Sequence, residues 1–211
     1  MSAFAEIPYF TPQEYLERDH IAEYKSEYFD GSIVAMSGAS PEHDRATGNI
    51  FANLHAQLAG KSCEPFTSNM RVSVPACNRY YYPDVTVACD DLQFESISGV
   101  KSLQNPVVVF EVLSDSTERT DRGEKLICYQ TIPSLEVYAI VSQKTPLVQV
   151  YERQSDGSWR YSLHQGVDAT LSFPAIDCRL RLADIYARVS FRDSEESESG
   201  PIGPDAQLPG S

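Results

Sequence analysis

Apolar and polar residues along this chain recur at two different periods, and the changes of period mark the predicted elements. Ile50, Leu54 and Leu58 recur every four residues, so they share one face of a helix. That helix opens at Ser40-Pro41-Glu42-His43, runs to about Ala59 and stops at Gly60. An earlier helix opens at Thr11-Pro12-Gln13-Glu14. Thr11 is its N-cap, Pro12 takes the first helical position, Glu14 stands where a capping box needs it, and Tyr15 and Leu16 turn inward. Glu27 to Met36 predicts two short strands joined at Asp30-Gly31, a strong hairpin signal. Further short strands are expected at residues 63–66 and 71–74.

Two segments carry more weight. Residues 84–88 read Asp-Val-Thr-Val-Ala, and residues 107–113 read Val-Val-Val-Phe-Glu-Val-Leu. The second is almost continuously apolar, as a central strand covered on both faces requires. A helix is expected over 117–130, a buried strand over 135–141, a hairpin over 147–151 and 159–163 around Asp156-Gly157, and a closing helix over 180–189. The pattern predicts a single α+β domain over residues 1–190, with a central mixed sheet flanked by helices and an additional C-terminal β-hairpin. Residues 191–211 are rich in Ser, Glu, Gly and Pro, a composition that cannot offset the cost of ordering, and are expected to form a disordered acidic tail.

Composition narrows the class. The 211 residues suit one domain with a self-sufficient core. No apolar run approaches the ~18 residues of a membrane span, and Met1 to Phe10 lacks the basic and apolar regions of a secretory signal. The five cysteines are widely spaced and form no C-x-x-C pair, so the expectation is buried thiols in a cytoplasmic protein rather than disulfides or a zinc site. The net charge is −13, of which residues 192–211 hold −4. An acidic body disfavours tight, non-specific DNA binding, because phosphate contacts need Lys and Arg.

The candidate chemistry starts at Glu111, the one charge inside an apolar strand, where an unpaired carboxylate is costly. Pro83-Asp84 opens the preceding strand. If the two strands pair antiparallel, Asp84 lies beside Glu111, and a hard cation such as Mg²⁺ relieves their repulsion. On the following helix Arg122, Lys125 and Tyr129 fall at i, i+3 and i+7 and are expected to share a face, from which Lys125 reaches the carboxylates. Each residue also has a structural reading. Asp84 is a turn residue after proline, and Glu111 is an ion-pair partner of Arg122 or Lys125. Lys125 is a surface lysine paired with Asp121, Glu27 faces solvent on an edge strand, and His43 is a first-turn or packed histidine. Tyr80-Tyr81-Tyr82 is expected as aromatic strand surface, and Trp159 as core.

Pro83-Asp84, Glu111-Val112-Leu113-Ser114, Asp121-Arg122, Lys125 and Tyr129, in this order, together with Glu27-Tyr28-Phe29-Asp30-Gly31 and His43, resemble the Uma-two family of restriction endonucleases within the PD-(D/E)xK nuclease superfamily. The resemblance runs from about Thr11 to Arg188. It implies a restriction endonuclease-like core and metal-assisted hydrolysis of phosphodiester bonds in DNA. Asp84 and Glu111 would hold Mg²⁺, with Mn²⁺ as a substitute, Glu27 would add a third carboxylate, and Lys125 would orient the nucleophile. His43, Arg122 and Tyr129 are possible auxiliary residues. The chain departs from the superfamily pattern at Leu113, where the lysine two residues after the acid is expected; Lys125 stands in for it. The alternatives are a catalytically silent nuclease-fold binding module and a metal-dependent hydrolase of a small phosphorylated substrate. Cutting both strands of a duplex pairs two sites by symmetry, which makes a homodimer an expectation as well.

Overall fold

The computed structural model describes residues 8–191; the tail expected over 191–211 therefore lies outside the described residues from 192 onward. The chain begins with α1 (Pro12–Ile21), β1 (Ser26–Phe29), β2 (Ser32–Ala35) and α2 (Pro41–Leu58), followed by β3 (Cys63–Thr67), β4 (Val72–Val74), β5 (Arg79–Tyr81), β6 (Val85–Cys89), β7 (Phe94–Ile97), β8 (Val100–Leu103) and β9 (Pro106–Val112). A broken helical segment comes next: α3 (Glu118–Thr120), a π-helical turn (Asp121–Lys125) and α4 (Leu126–Tyr129). The chain closes with β10 (Val137–Val141), β11 (Leu147–Arg153), β12 (Trp159–Gln165), β13 (Thr170–Phe173), β14 (Cys178–Arg181) and α5 (Leu182–Ile185).

Both long-helix starts form as their sequences dictate. Thr11 and Glu14 complete the capping box of α1, and the Ser40 hydroxyl accepts the His43 backbone N–H at the start of α2. Among the described residues the strands form two six-stranded sheets and one ribbon, β13-β14. The central sheet has the order β12-β11-β10-β9-β6-β3. It is mixed, because β9 and β10 run parallel while the other neighbours run antiparallel. The second sheet has the order β2-β1-β5-β4-β8-β7.

Alternation along β9 sorts the two faces of the central sheet. Val108, Phe110 and Val112 pack with Ile50, Leu54 and Leu58 of α2 and with Phe173 and Leu180 of the ribbon. Val109 and Leu113 turn the other way, toward Val72 and Tyr81 of the second sheet and Tyr129 of α4. A third cluster, Tyr15, Leu16, Tyr28 and Tyr80, seats α1 on the far side of the second sheet. Glu111, one residue from Phe110, therefore faces the space between the sheets. No helix among the described residues is long and apolar enough to cross a membrane.

Several expectations need correction. Residues 180–189 do not form one helix: Cys178–Arg181 is a strand and only Leu182–Ile185 is helical. Tyr80, Tyr81 and Tyr82 are buried rather than surface, because β5, which holds the first two, lies inside the second sheet and Tyr82 follows it directly. Trp159 is only partly buried, with Arg153 stacked 4.6 Å from its ring. Four of the five cysteines are paired, Cys63 with Cys89 and Cys77 with Cys128, leaving Cys178 as the free, buried thiol. Cys63 and Cys89 occupy facing positions on β3 and β6, a proximity that sequence spacing does not reveal.

Candidate active site

The site is built where the two sheets meet. β6 and β9 are antiparallel with Val85 opposite Phe110, which brings Asp84, the residue before β6, beside Glu111. The Val112 backbone N–H donates to Asp84 Oδ2 at 2.7 Å, fixing that carboxylate at the end of β9. His43, in the first turn of α2, places Nε2 3.2 Å from the same oxygen. Burial works against protonation of His43, but the bond to Asp84 and its charge outweigh burial and hold the imidazole above its usual pKa.

From the second sheet comes Glu27. Its neighbours Tyr28 and Phe29 point to opposite faces, so Glu27 shares the Phe29 side and looks toward the central sheet. Far from lying on an edge strand, it is buried, because β1 sits between β2 and β5. Its Oε1 accepts the Tyr82 backbone N–H at 3.0 Å.

Lys125 joins the two sheets. Its Nζ lies 3.0 Å from Glu27 Oε1, 3.3 Å from Glu111 Oε1 and 3.3 Å from Asp121 Oδ1, with all four side chains nearly or fully excluded from solvent. Tyr129 adds a phenol donating to Glu111 Oε1 at 3.3 Å. The π-helical turn explains which residues of this segment point inward. Its turn is wider than the 3.6 residues of an α-helix, so Asp121, Lys125 and Tyr129, spaced by four, share the buried face. Arg122 does not join them, contrary to the expected i, i+3, i+7 face. It pairs instead with Glu118 at 2.9 Å and bonds Gln149. The i, i+4 spacing of Asp121 and Lys125 signals their pairing in the sequence, and packing decides that the pair is buried.

Charge at the site is unbalanced. Three carboxylates, Glu27, Glu111 and Asp121, surround the buried Lys125, and a fourth, Asp84, lies beside Glu111 and faces His43. Asp121 Oδ1 touches the ammonium yet makes no hydrogen bond among the described residues. Burial raises the Glu111 carboxyl well above its ordinary pKa; Lys125 opposes this, and Asp121, Asp84 and Glu27 add to it. Burial alone would lower the pKa of Lys125, but Glu111, Glu27 and Asp121 outweigh it and hold the ammonium charged. The site opens to solvent through a cleft of about 530 Å³, whose lining includes Glu27, His43, Asp84, Glu111, Lys125 and Lys25.

A mixed central sheet flanked by helices, with carboxylates and a lysine gathered at the end of a buried strand, defines an α+β protein with a buried acidic site. The fold matches the crystal structure of a putative nuclease belonging to DUF820 from Anabaena variabilis at TM-score 0.68 and 18% identity, covering 84% of this chain and 97% of that one. The Uma2 family, "Putative restriction endonuclease", matches residues 12–183, and the chain belongs to that family. Two uncharacterized proteins of Synechocystis sp. are similar over nearly their whole lengths. One is 33% identical over 82% of this chain and 97% of its own; the other is 33% identical over 90% and 98%.

Proposed function

We propose that this protein is a Mg²⁺-dependent endonuclease that hydrolyses phosphodiester bonds in DNA, with Asp84 and Glu111 as the metal ligands. The observation that carries the reading is the gathering of Glu27, Glu111 and Asp121 around the buried ammonium of Lys125, with Asp84 beside Glu111. Four acids face two cationic side chains there, Lys125 and His43, and an added cation fits the remaining excess. The donors are carboxylate oxygens, the set that Mg²⁺ and Mn²⁺ prefer. Among the described residues no three acidic, histidine or cysteine side chains form a ready-made cage. Two carboxylates, with water and substrate oxygens completing the shell, are the usual arrangement for Mg²⁺. Asp84 and Glu111 would hold the ion, which would supply a water of lowered pKa and neutralise charge on the scissile phosphate.

The chain's own residues do the remaining work. His43 and the Val112 N–H orient Asp84, and Tyr129 orients Glu111. Lys125 takes the place of the lysine that Leu113 does not provide, steadying the attacking water and the charge that develops on the phosphate. Glu27 holds Lys125 in position from the opposite sheet. The second reading is a binding module without catalysis, favoured by Lys125 already being engaged by three carboxylates.

The test is cleavage of supercoiled plasmid and single-stranded DNA with Mg²⁺ or Mn²⁺, wild type beside Asp84→Ala prepared identically. Cutting by wild type alone supports the endonuclease. Equal cutting by both points to a contaminant or another site, and no cutting by either favours the binding module.

A further inference from the structure

Three side chains lining the cleft are able to carry positive charge: Lys25, His43 and Lys125. Two are already committed. Lys125 faces Glu27, Glu111 and Asp121, and His43 faces Asp84. Lys25 is different. Among the described residues no carboxylate lies within ion-pair distance of its ammonium, and its only hydrogen-bond acceptor is the Ser68 carbonyl at 2.8 Å. An ammonium has three donors, so two remain for a ligand. The nearby acids are occupied elsewhere: Asp19 is bound by Arg71 and the Tyr82 hydroxyl, and Asp84 by His43 and the Val112 N–H.

We propose that Lys25 seats a phosphate of the substrate strand, as the one cation among the described residues of the cleft left without an acidic partner within ion-pair distance. This deepens the hydrolase reading and rests on it. In a cleft lined with carboxylates a polyanion is repelled unless some cation is free to receive it. Lys125 cannot do so without leaving three buried acids unpaired, whereas Lys25 has only its bond to the Ser68 carbonyl and the Tyr82 ring, 5.6 Å from its ammonium, to keep or exchange. Burial pulls the Lys25 pKa below its ordinary value, with Asp84 and Asp19 opposing. A bound phosphate would restore that lost hydration with charge-assisted hydrogen bonds. Lys25 acts here as a positioning residue, and a single free lysine predicts a weak phosphate footprint.

The experiment uses the full chain as wild type, Lys25→Met, which keeps the aliphatic stem, and Lys25→Arg, which keeps the charge; circular dichroism verifies that each is folded. Fluorescence anisotropy with a labelled oligonucleotide in Ca²⁺ gives affinity across a salt series, and ³¹P line broadening reports binding of inorganic phosphate without nucleic acid. Lys25→Met is expected to weaken DNA binding, to flatten the log–log salt slope by about 0.9 for duplex or about 0.7 for single strands, and to abolish the phosphate effect, while Lys25→Arg retains all three. Loss of the phosphate effect in Lys25→Met, with no DNA binding by any variant, supports the seat and removes DNA as the substrate. Lys25→Met that matches wild type in both assays overturns the seat, as does a wild type that binds neither probe.

Discussion

At the scale of single residues, Lys125 decides how the site is held. Replacing it with Met leaves Glu27, Glu111 and Asp121 buried together without a counter-charge. Removing one partner of a buried ion pair costs about 3–5 kcal/mol. Urea unfolding at neutral pH checks this, and an unchanged midpoint would show that Lys125 is not the hub. Glu111 behaves oppositely. Its carboxyl is held above the usual range, chiefly by burial, so the folded state retains a proton that the unfolded state releases. Stability from this group is full below the ordinary carboxylate value of about 4.3 and is lost as the pH rises through the raised folded value. Glu111→Gln is therefore expected to stabilise the metal-free protein at neutral pH, by about 1.4 kcal/mol for each unit of displacement. That gain should vanish in acid. Urea titrations at several pH values measure it, and a gain that grows toward acid contradicts the assignment.

At the scale of elements, the hairpin at Asp30-Gly31 sets where β1 presents Glu27. Gly31 has φ +98°, a conformation open to glycine, and an added Cβ would lie 2.1 Å from the Tyr9 ring. Tyr9 is exposed and its ring can swing aside, so the lasting cost of Gly31→Ala is backbone strain, about 1–2 kcal/mol, readable as a lower midpoint in thermal or urea unfolding. The cystines act on elements too. Cys77 follows β4 and Cys128 lies in α4, so their bond ties the second sheet to the segment carrying Lys125 and Tyr129. Chain separations of 26 and 51 residues correspond to a stabilisation of about 3–4 kcal/mol for each bond in the loop-entropy account. Thiol titration of unreduced, denatured protein should count one reactive thiol, Cys178; a count of five would overturn both pairings.

At the scale of the whole molecule, a net charge of −13 opposes the approach of any polyanion, which under the proposed function includes DNA. Repulsion from the body leaves the cleft as the point of contact. Non-specific duplex binding at physiological salt is expected at or beyond the weak end of the usual range, about 10⁻⁴ M. Anisotropy at that salt checks it; micromolar binding would require a basic surface away from the cleft. The described residues hold one candidate site, so a monomer is expected to nick a supercoiled plasmid, and linear product would call for two copies related by symmetry.

What the sequence alone determined was local. The caps at Thr11 and Ser40, the turn at Asp30-Gly31 and the apolar run around Glu111 depend on neighbours within a few residues, and each took the form its chemistry required. The placement of Asp84 beside Glu111 was also legible, because an antiparallel pairing of two recognisable strands leaves little choice of register. Tertiary structure decided the rest. Whether Glu27 faces solvent or Lys125 depends on β1 lying inside a sheet, which follows from pairings with β5 that no local pattern encodes. The π-helical turn turned Arg122 out and Asp121 in, because a change of helical pitch is set by what the segment packs against. The cysteine pairs and the lack of an ion-pair contact to Lys25 among the described residues are likewise properties of distance in space, and chain separation does not fix that distance.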